Sequence, residues 1–388
     1  MNKLKWKILG IYEDLSYYIL GLPRFLFVWK DNKKLSLLNF FDNNVKKRPN
    51  DIAFIFEGDE ITWKEANEQT NKYAGFLKSQ NINKGDCFAI LMDNSPDFLM
   101  LLLASFRVGS LAALINTTVS GEGLKHVIGI SDVKLITAGA SHLEKLSSAL
   151  GDSDLKNIPI FGMEDNEKIP DQVEDIKKLS KQFSTFIPYQ PIMKDVAAYI
   201  FTSGTTGLPK AALVDHAKLV KGSFAGHFLC FNFNKNDRLY MTLPLYHSTG
   251  LILGWAASLR SGCPNLIKSK FSASDFWNDV KKYNVNKFIY VGELCRYLMN
   301  LPPSEEDKDN PITQISGNGL RPDIWESFQK RFNINKIVEI YGATEAVGMT
   351  INSFGRSGMI GRKRSDSTII HCNKDDGSPI LNLSLIHI

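Results

Sequence analysis

The residues best suited to chemistry stand in one run, Tyr199-Ile-Phe-Thr-Ser-Gly-Thr-Thr-Gly-Leu-Pro-Lys210, in which an apolar strand leads into a polar loop. Gly204 and Gly207 let the backbone turn tightly and bring N–H groups close to oxyanions. Lys210 supplies a mobile positive charge. The hydroxyl groups add hydrogen-bond donors without repulsive charge, and they belong to Thr202, Ser203, Thr205 and Thr206. The loop is therefore predicted to bind a polyphosphate.

A flexible Ser/Gly/Thr connector is the simplest alternative, and a generic glycine-rich stretch is usually no more than that. The preceding strand and the Pro-Lys ending favour the phosphate-binding interpretation. The loop is not a Walker-type P-loop, because that motif needs Gly-Lys-Ser/Thr and Pro209 separates the last glycine from Lys210. A kinase or GTPase of that type is therefore disfavoured.

Three further segments place polar side chains next to predicted strands. Pro244-Leu-Tyr-His-Ser248 precedes an apolar, glycine-containing helix. Glu339-Ile-Tyr-Gly-Ala-Thr-Glu345 lies at the end of a strand, where open α/β sheets place their ligands. The third segment is Ser316-Gly-Asn-Gly-Leu-Arg321. Taken alone, His247 would be a packed, hydrogen-bonded histidine and Glu345 a surface carboxylate.

The segments together resemble a known group of enzymes. Thr202 to Lys210 resembles the phosphate-loop signature of the adenylate-forming superfamily, which includes acyl-CoA synthetases, luciferases and peptide-synthetase adenylation domains. Stretches at 271–274, 292–303 and 317–321 are similar to one branch, the fatty acid transport proteins or very long-chain acyl-CoA synthetases. The resemblance runs from roughly residue 40 to roughly residue 355.

The resemblance implies a nucleotide site built from these segments. The loop would hold the β- and γ-phosphates of ATP, and Glu345 with Thr206 would bind Mg²⁺. Tyr341 would stack on the adenine base, and Thr344 would bond the α-phosphate. His247 would orient the acyl carboxylate, so Lys210, His247 and Glu345 are the expected catalytic residues. The other expected nucleotide contacts are Thr202, Ser203, Gly204, Thr205, Gly207, Gly317, Asn318, Gly319, Gly342 and Ala343.

The implied activity is that of a long-chain or very long-chain fatty acid–CoA ligase, coupled to fatty acid uptake and using ATP, Mg²⁺ and coenzyme A. A carboxylate is a poor acylating agent, because its charge repels nucleophiles and oxide is a poor leaving group. An acyl-adenylate loses AMP readily, and the thiolate of coenzyme A can then take the acyl group. Positioning and charge stabilisation suffice for this chemistry, so no nucleophilic Ser or Cys is expected.

Two alternatives stay open at this point. One is a superfamily member that makes an amino-acyl or aryl adenylate, against which Gly292-Glu-Leu-Cys-Arg-Tyr297 and the aromatic N-terminus argue. The other is a non-catalytic or truncated lipid-handling homologue that binds nucleotide without turnover.

The elements that must position these residues alternate between strand and helix from about residue 51, which is typical of a mostly parallel α/β sheet. Thr62 followed by Glu65 predicts a helix that begins with a capping box. Ser95-Pro96 predicts another helix, which ends at Gly109. The predicted strands are Ile52–Phe56, Cys87–Met92, Ala112–Asn116, Leu135–Thr137, Ile158–Phe161, Val196–Phe201, Leu239–Thr242, Asn265–Ile267, Lys287–Tyr290 and Lys336–Ile340.

Three regions divide the chain. Residues 39–355 form the predicted adenylation domain, within which the polar segment 163–195 is expected to be a surface excursion between two parts of the sheet system. The resemblance implies an α/β fold, that of the large N-terminal domain of adenylate-forming enzymes, with mostly parallel sheets flanked by helices and the small C-terminal domain absent. Residues 356–388 lack the family's ribose-binding Asp and catalytic lysine, so we expect a fragment or an aberrant end.

Residues 1–38 form the N-terminal region, which is aromatic from Trp6 to Trp29. Charged residues and Pro23 interrupt it, so no run approaches the ~20 apolar residues of a spanning helix. A helix packed on the domain and an interfacial anchor both stay open. The alternation of aromatics and lysines favours a membrane surface. For a member of the family that the chain resembles, the expected location is the cytosolic face of the endoplasmic reticulum, plasma membrane or peroxisome.

The composition of the chain bears on its possible partners and on its cellular compartment. A net charge of +5, spread along the chain, gives little support to a nucleic-acid partner. The five cysteines include no Cys-x-x-Cys pair, which is typical of a reducing compartment. A homo-oligomer stays open.

Overall fold

The computed structural model describes residues 31–151, 153–184, 188–203, 207–345 and 349–361, with the backbone of 371–372 and 379–380. In chain order the strands are β1 (Ile52–Phe56), β2 (Asp59–Thr62), β3 (Cys87–Leu91), β4 (Leu111–Leu114), β5 (Val133–Gly139), β6 (Ile160–Met163), β7 (Glu174–Asp175), β8 (Val196–Thr202), β9 (Lys210–Asp215), β10 (Leu239–Met241), β11 (Asn265–Ile267), β12 (Lys287–Val291), β13 (Gln314–Asn318), β14 (Lys336–Gly342), β15 (Met349–Asn352), β16 (His371–Cys372) and β17 (Pro379–Ile380).

Helices fill most of the connections between these strands. The α-helices are α1 (Leu37–Lys47), α2 (Trp63–Ser79), α3 (Pro96–Val108), α4 (Gly121–Ile130), α5 (Ala140–Leu150), α6 (Ile176–Ser180), α7 (His216–Ala225), α8 (Ala257–Ser261), α9 (Ala273–Lys282), α10 (Gly292–Met299) and α11 (Pro322–Arg331). Two π-helices, Gly226–Phe231 and Thr249–Ala256, pack beside α7. The predicted α/β alternation is therefore confirmed, and every predicted strand is present with its ends within two residues of the expected ones.

The first large sheet has the strand order β7-β6-β5-β3-β4-β8-β9. Its strands run parallel except for β8 and β9, which form an antiparallel hairpin. Thr202 at the end of β8 pairs with Lys210 at the start of β9. The predicted phosphate loop is therefore the turn of a hairpin at the edge of a parallel sheet.

The second large sheet has the order β15-β14-β13-β12-β10-β11-β1-β2. Its centre is parallel, and both edges are closed by antiparallel pairs, β14 with β15 and β1 with β2. Since β1 and β2 precede the whole first sheet in the chain, the polypeptide starts in the second sheet and returns to it after α7. This return brings the carboxyl ends of strands from both sheets into one region.

The polar segment 163–195 does not separate the two sheets, so that expectation was wrong. It contributes β7 and α6, and β8 after it enters the same sheet between β4 and β9. Ile176 and Met193 are fully buried, so the segment is attached to the body by apolar anchors despite its charged composition. The crossing between the sheets comes later, between β9 and β10.

Helices α2 and α3 begin where the sequence predicts, and α3 also ends where it predicts. The side chain of Thr62 accepts a hydrogen bond from the backbone of Glu65, and the carboxylate of Glu65 closes the capping box at the start of α2. The side chain of Ser95 accepts a hydrogen bond from the backbone of Phe98 at the start of α3, and Gly109 ends this helix with φ of 82°. Every residue of α3 except Asp97 is buried, because this helix lies in the main apolar core.

No helix within the described ranges is both long enough and apolar enough to cross a bilayer. The predicted aromatic segment from Trp6 to Trp29 and the apolar end from Leu383 to Ile388 lie outside the described residues.

His216, the first residue of α7, gives the fold a dependence on pH. Its ring is buried edge-on against Phe106, at 4.6 Å between centroids, and burial lowers its pKa to about 4. The unfolded chain binds a proton near pH 6.5, so the folded state loses stability as the pH falls below that value. We expect the free energy of unfolding to fall by about 2 kcal/mol between pH 7.5 and pH 5 from this residue.

Urea titrations of the wild type and of His216→Gln at both pH values test this expectation. The variant should show a smaller decrease in unfolding free energy than the wild type over the same interval. An equal decrease in both proteins would contradict the assignment to His216.

Candidate active site

The site forms where the two sheets meet, around a contact between residues far apart in the sequence. The hydroxyl Oγ1 of Thr202, at the end of β8, donates a hydrogen bond of 2.5 Å to Oε1 of Glu345, just beyond β14. This bond lowers the pKa of Glu345, whose exposed carboxylate is therefore ionised at neutral pH. The predicted phosphate loop and the segment 339–345 are thus in direct contact.

The described part of the phosphate loop has the expected backbone. Gly207 adopts φ of +89°, a conformation that side chains rarely adopt, so glycine is required there. Ser203 and Lys210 are exposed at the two ends of the turn, and the charge of Lys210 contributes to the low pKa of Glu345. The expected contacts Gly204, Thr205 and Thr206 lie outside the described residues.

His126 on α4 also reaches this loop, and the sequence reasoning missed it. A ring nitrogen of His126 lies 3.1 Å from the carbonyl oxygen of Pro209. The contact ties the loop to a helix that precedes it by about 80 residues. A single half-buried histidine inside a helix has no pattern that would have revealed this role.

The segment after β14 is held from two directions. The hydroxyl of Thr344 lies 2.9 Å from the hydroxyl of Ser248, in the segment 244–248, and Nζ of Lys218 donates a 2.8 Å hydrogen bond to the Thr344 carbonyl. Tyr341 is 63% exposed, and a large exposed aromatic face of this kind can stack on a planar ligand. Gly342 and Ala343 follow it on the surface, without bulky side chains beside the ring.

A close approach of backbones shapes the wall next to Tyr341. A Cβ on Gly317 would lie 2.0 Å from the carbonyl oxygen of Tyr290, and one on Gly292 would lie 1.8 Å from the carbonyl oxygen of Gly319. Gly319 itself has φ of +81°. These glycines are therefore required by the close packing of the ends of β12 and β13.

A buried carboxylate, Glu339 in β14, stabilises this wall. It accepts hydrogen bonds from the hydroxyl of Tyr290 at 2.6 Å and from the backbone N–H groups of Gly319 and Leu320. Burial raises the pKa of Glu339, while these hydrogen bonds act in the opposite direction. The sequence reasoning did not assign Glu339, although a carboxylate inside the apolar strand Lys336-Ile-Val-Glu-Ile was a visible signal.

Asn318 offers an unused acceptor in the same wall. Its Oδ1 atom is buried and has no hydrogen-bond partner among the described residues. A buried polar atom without a partner is costly, and a ligand that donates a hydrogen bond would satisfy it. An exocyclic amino group on a stacked base has the required donor.

His247 is exposed, and its ring makes no hydrogen bond within the described parts of the chain. It packs beside Tyr246, with ring centroids 4.8 Å apart. The surrounding protein desolvates the ring and lowers the pKa of His247, so the imidazole is neutral at neutral pH.

Metal binding would depend on very few protein ligands. No cluster of three or more His, Cys, Asp or Glu side chains that could hold a metal ion occurs within the described ranges. An exposed, ionised Glu345 beside the phosphate loop is nevertheless a suitable donor for Mg²⁺, which commonly uses one or two carboxylates together with substrate phosphates.

The sequence model described as AMP-binding enzyme matches residues 41–378. The chain belongs to the AMP-binding enzyme family. A crystal structure of ATP-bound MatB from Rhodopseudomonas palustris has a TM-score of 0.74 at 20% identity, covering 89% of this chain and 68% of that one. The resemblance at family level and the predicted fold class are therefore confirmed.

Relatives of this AMP-binding enzyme carry names from fatty acid metabolism. Long-chain fatty acid transport protein 6 of mouse is 36% identical over 90% of this chain and 57% of the relative. Medium/long-chain-fatty-acid–CoA ligase FadD6 of Mycobacterium tuberculosis is 30% identical over 92% of this chain and 58% of the relative. The chain thus spans a little over half the length of these curated relatives.

The close backbone contact at Gly317 predicts that a larger side chain there lowers the stability of the fold. Gly317→Ala should lower the free energy of unfolding by about 3 kcal/mol, because its Cβ would collide with the backbone at Tyr290. The measurement is urea denaturation followed by circular dichroism.

Gly129→Ala is the matched control. Gly129 lies in α4, where a Cβ would make an ordinary 3.6 Å contact with Leu155, so the exchange should leave stability unchanged or raise it by up to about 1 kcal/mol. Equal effects of the two substitutions would contradict the proposed backbone contact.

Proposed function

We propose that this chain carries the nucleotide- and acid-binding site of a long-chain or very long-chain fatty acid–CoA ligase. Such an enzyme activates a fatty acid with ATP through an acyl-adenylate, transfers the acyl group to coenzyme A and is coupled to fatty acid uptake. The observation that carries the proposal is the bond between Thr202 and Glu345, because it joins a phosphate-binding turn to a carboxylate suited to magnesium.

The turn and its neighbours would bind the phosphates. The backbone at Gly207 and the hydroxyl of Ser203 supply donors, and Lys210 supplies a cation at the exposed end of the hairpin. The Glu345 carboxylate would hold Mg²⁺, which neutralises phosphate charge when bound. Thr205 and Thr206 are expected to add hydroxyl groups to the same site.

The wall formed by β13 and β14 would bind the base. Tyr341 presents an exposed ring for stacking, and Oδ1 of Asn318 can accept the hydrogen bond that the adenine amino group offers. Gly317, Gly319, Gly342 and Ala343 have small or absent side chains, so a flat ligand can approach the backbone closely. Thr344 presents its hydroxyl toward the phosphate side, next to Ser248.

His247 would act on the acid. A neutral imidazole can donate a hydrogen bond to a carboxylate without forming a tight ion pair, and the low pKa of His247 keeps the ring in that form. This orients one carboxylate oxygen for attack on the α-phosphate. Positioning and charge stabilisation then account for the chemistry, without a covalent enzyme intermediate.

The class of acid is proposed from the relatives' names. Both relatives are named for long-chain or medium- to long-chain fatty acids, and both align with at least 90% of this chain. Coenzyme A as acceptor, coupling to uptake and attachment to the cytosolic face of a membrane belong to the same proposal. The alternative is a homologue that binds nucleotide without turnover.

Oleate-dependent exchange between ATP and radioactive pyrophosphate tests the proposal. A protein of the relatives' full length that contains this chain should catalyse exchange that needs both oleate and Mg²⁺, whereas benzoate and phenylalanine should not replace oleate. ATP binding without acid-dependent exchange would instead favour the non-catalytic alternative.

Lys210→Ala and Glu345→Ala should each lower the exchange rate on the order of 100-fold, because each removes a charge from the phosphate site. Lys235→Ala removes an exposed lysine from the turn before β10 and should leave the rate unchanged. Near wild-type exchange in both site variants would show that the site is assigned wrongly.

A further inference from the structure

Lys218 makes a contact with the site that neither the loop signature nor the strand-end segments predict. It lies in the first turn of α7, and its Nζ donates a 2.8 Å hydrogen bond to the backbone carbonyl of Thr344. The two residues are 126 positions apart, Lys218 in the helix that follows β9 of the first sheet and Thr344 in the connection that follows β14 of the second sheet. The contact is therefore a tertiary link across the junction of the sheets.

The backbone at Lys218 is held firmly in place. Asp215 caps α7, and its carboxylate accepts a 2.6 Å hydrogen bond from the backbone N–H of Lys218. The preceding His216 is buried, and its backbone N–H donates to the carbonyl of Asp195. The Lys218 ammonium therefore extends from a helix end that is fixed on both sides.

The hydrogen-bond acceptor of Lys218 lies in a connection that has no regular secondary structure. Thr344 lies two residues beyond β14, and its peptide precedes Glu345. Three side chains converge on this short stretch: Lys218 on the carbonyl of Thr344, Ser248 on its hydroxyl, and Thr202 on the carboxylate of Glu345. A charge-assisted bond to the carbonyl restrains the peptide more firmly than a neutral bond.

We propose that Lys218 is a positioning residue, which orients the Thr344–Glu345 peptide so that both side chains face the phosphates and magnesium of the nucleotide. This inference rests on the proposed function, since it assigns Lys218 to the same site. Lys218 acts through that peptide and does not itself touch the substrate.

The electrostatics agree with this geometry. The pKa of Glu345 is lowered mainly by the hydrogen bond from Thr202, then by a backbone hydrogen bond, with smaller contributions from the charges of Lys218 and Lys210. The ammonium of Lys218 is committed to a carbonyl, so its charge stays near the carboxylate without pairing with it directly. Glu345 is thus left ionised and available to a metal.

Calorimetric titration with MgATP and with adenosine tests the proposal on the wild-type chain, Lys218→Met, Lys218→Arg and Lys235→Met. Lys218→Met should weaken MgATP binding by about tenfold, the typical effect of losing one hydrogen bond to a charged group. Adenosine binding should change by less than about twofold, because Tyr341 and Asn318 do not depend on Lys218. Lys218→Arg should restore most of the affinity, and Lys235→Met should match the wild type.

A double-mutant cycle with Glu345→Gln separates positioning from direct phosphate contact. If Lys218 acts through the Thr344–Glu345 peptide, the double variant should lose little more MgATP affinity than the weaker-binding single variant. Additive losses would show that Lys218 contacts the phosphates itself, and they would overturn the positioning role.

Three further results would also overturn the inference. They are unchanged MgATP affinity in Lys218→Met, an equal loss of MgATP and adenosine affinity in that variant, and no rescue by Lys218→Arg. These are distinct from a failure of the proposed function, which would appear as a wild-type chain that does not bind MgATP. Thermal melting of each variant shows that differences in binding do not come from unfolding.

Discussion

The hydrogen bond between Thr202 and Glu345 is the contact on which the site depends, because it is made across the junction of two separate sheets. Thr202 is the last residue of β8 and Glu345 lies three residues beyond β14, so both are at carboxyl ends of strands, where open α/β sheets place their ligands. The chain reaches this arrangement by beginning in the second sheet, building the first, and returning. The site therefore exists only when both sheets are in place.

Rigidity around this contact comes from small residues and one buried charge. Gly292 and Gly317 permit backbone contacts that any Cβ would prevent, and Glu339 collects three donors in a region with little access to water. A buried carboxylate is costly unless it is fully hydrogen-bonded, so Glu339 favours one arrangement of the Gly319–Leu320 backbone. The wall at the ends of β12, β13 and β14 is consequently formed before any ligand arrives.

Much of the local structure could be predicted from the sequence. The capping box of Thr62, the glycine end of α3 and most strands depend on neighbours within a few residues, and all are present. The prediction that 163–195 lies between two parts of the sheet system failed because the charged surface residues of this segment outnumber its buried apolar residues Ile176 and Met193. The sequence did not predict the roles of Lys218, His126 and Glu339. Each of these residues forms its hydrogen bonds with residues that are distant in the sequence or outside its own motif.

The sequence by itself determined the family and the fold class and predicted a phosphate-binding turn, because these depend on residue types in consecutive order. Only the tertiary structure decided that the turn is a hairpin, that Thr202 meets Glu345, and that Lys218 and Ser248 hold Thr344. Such contacts depend on how two sheets pack against each other. Packing is set by the whole apolar core, and no local pattern of residues records it.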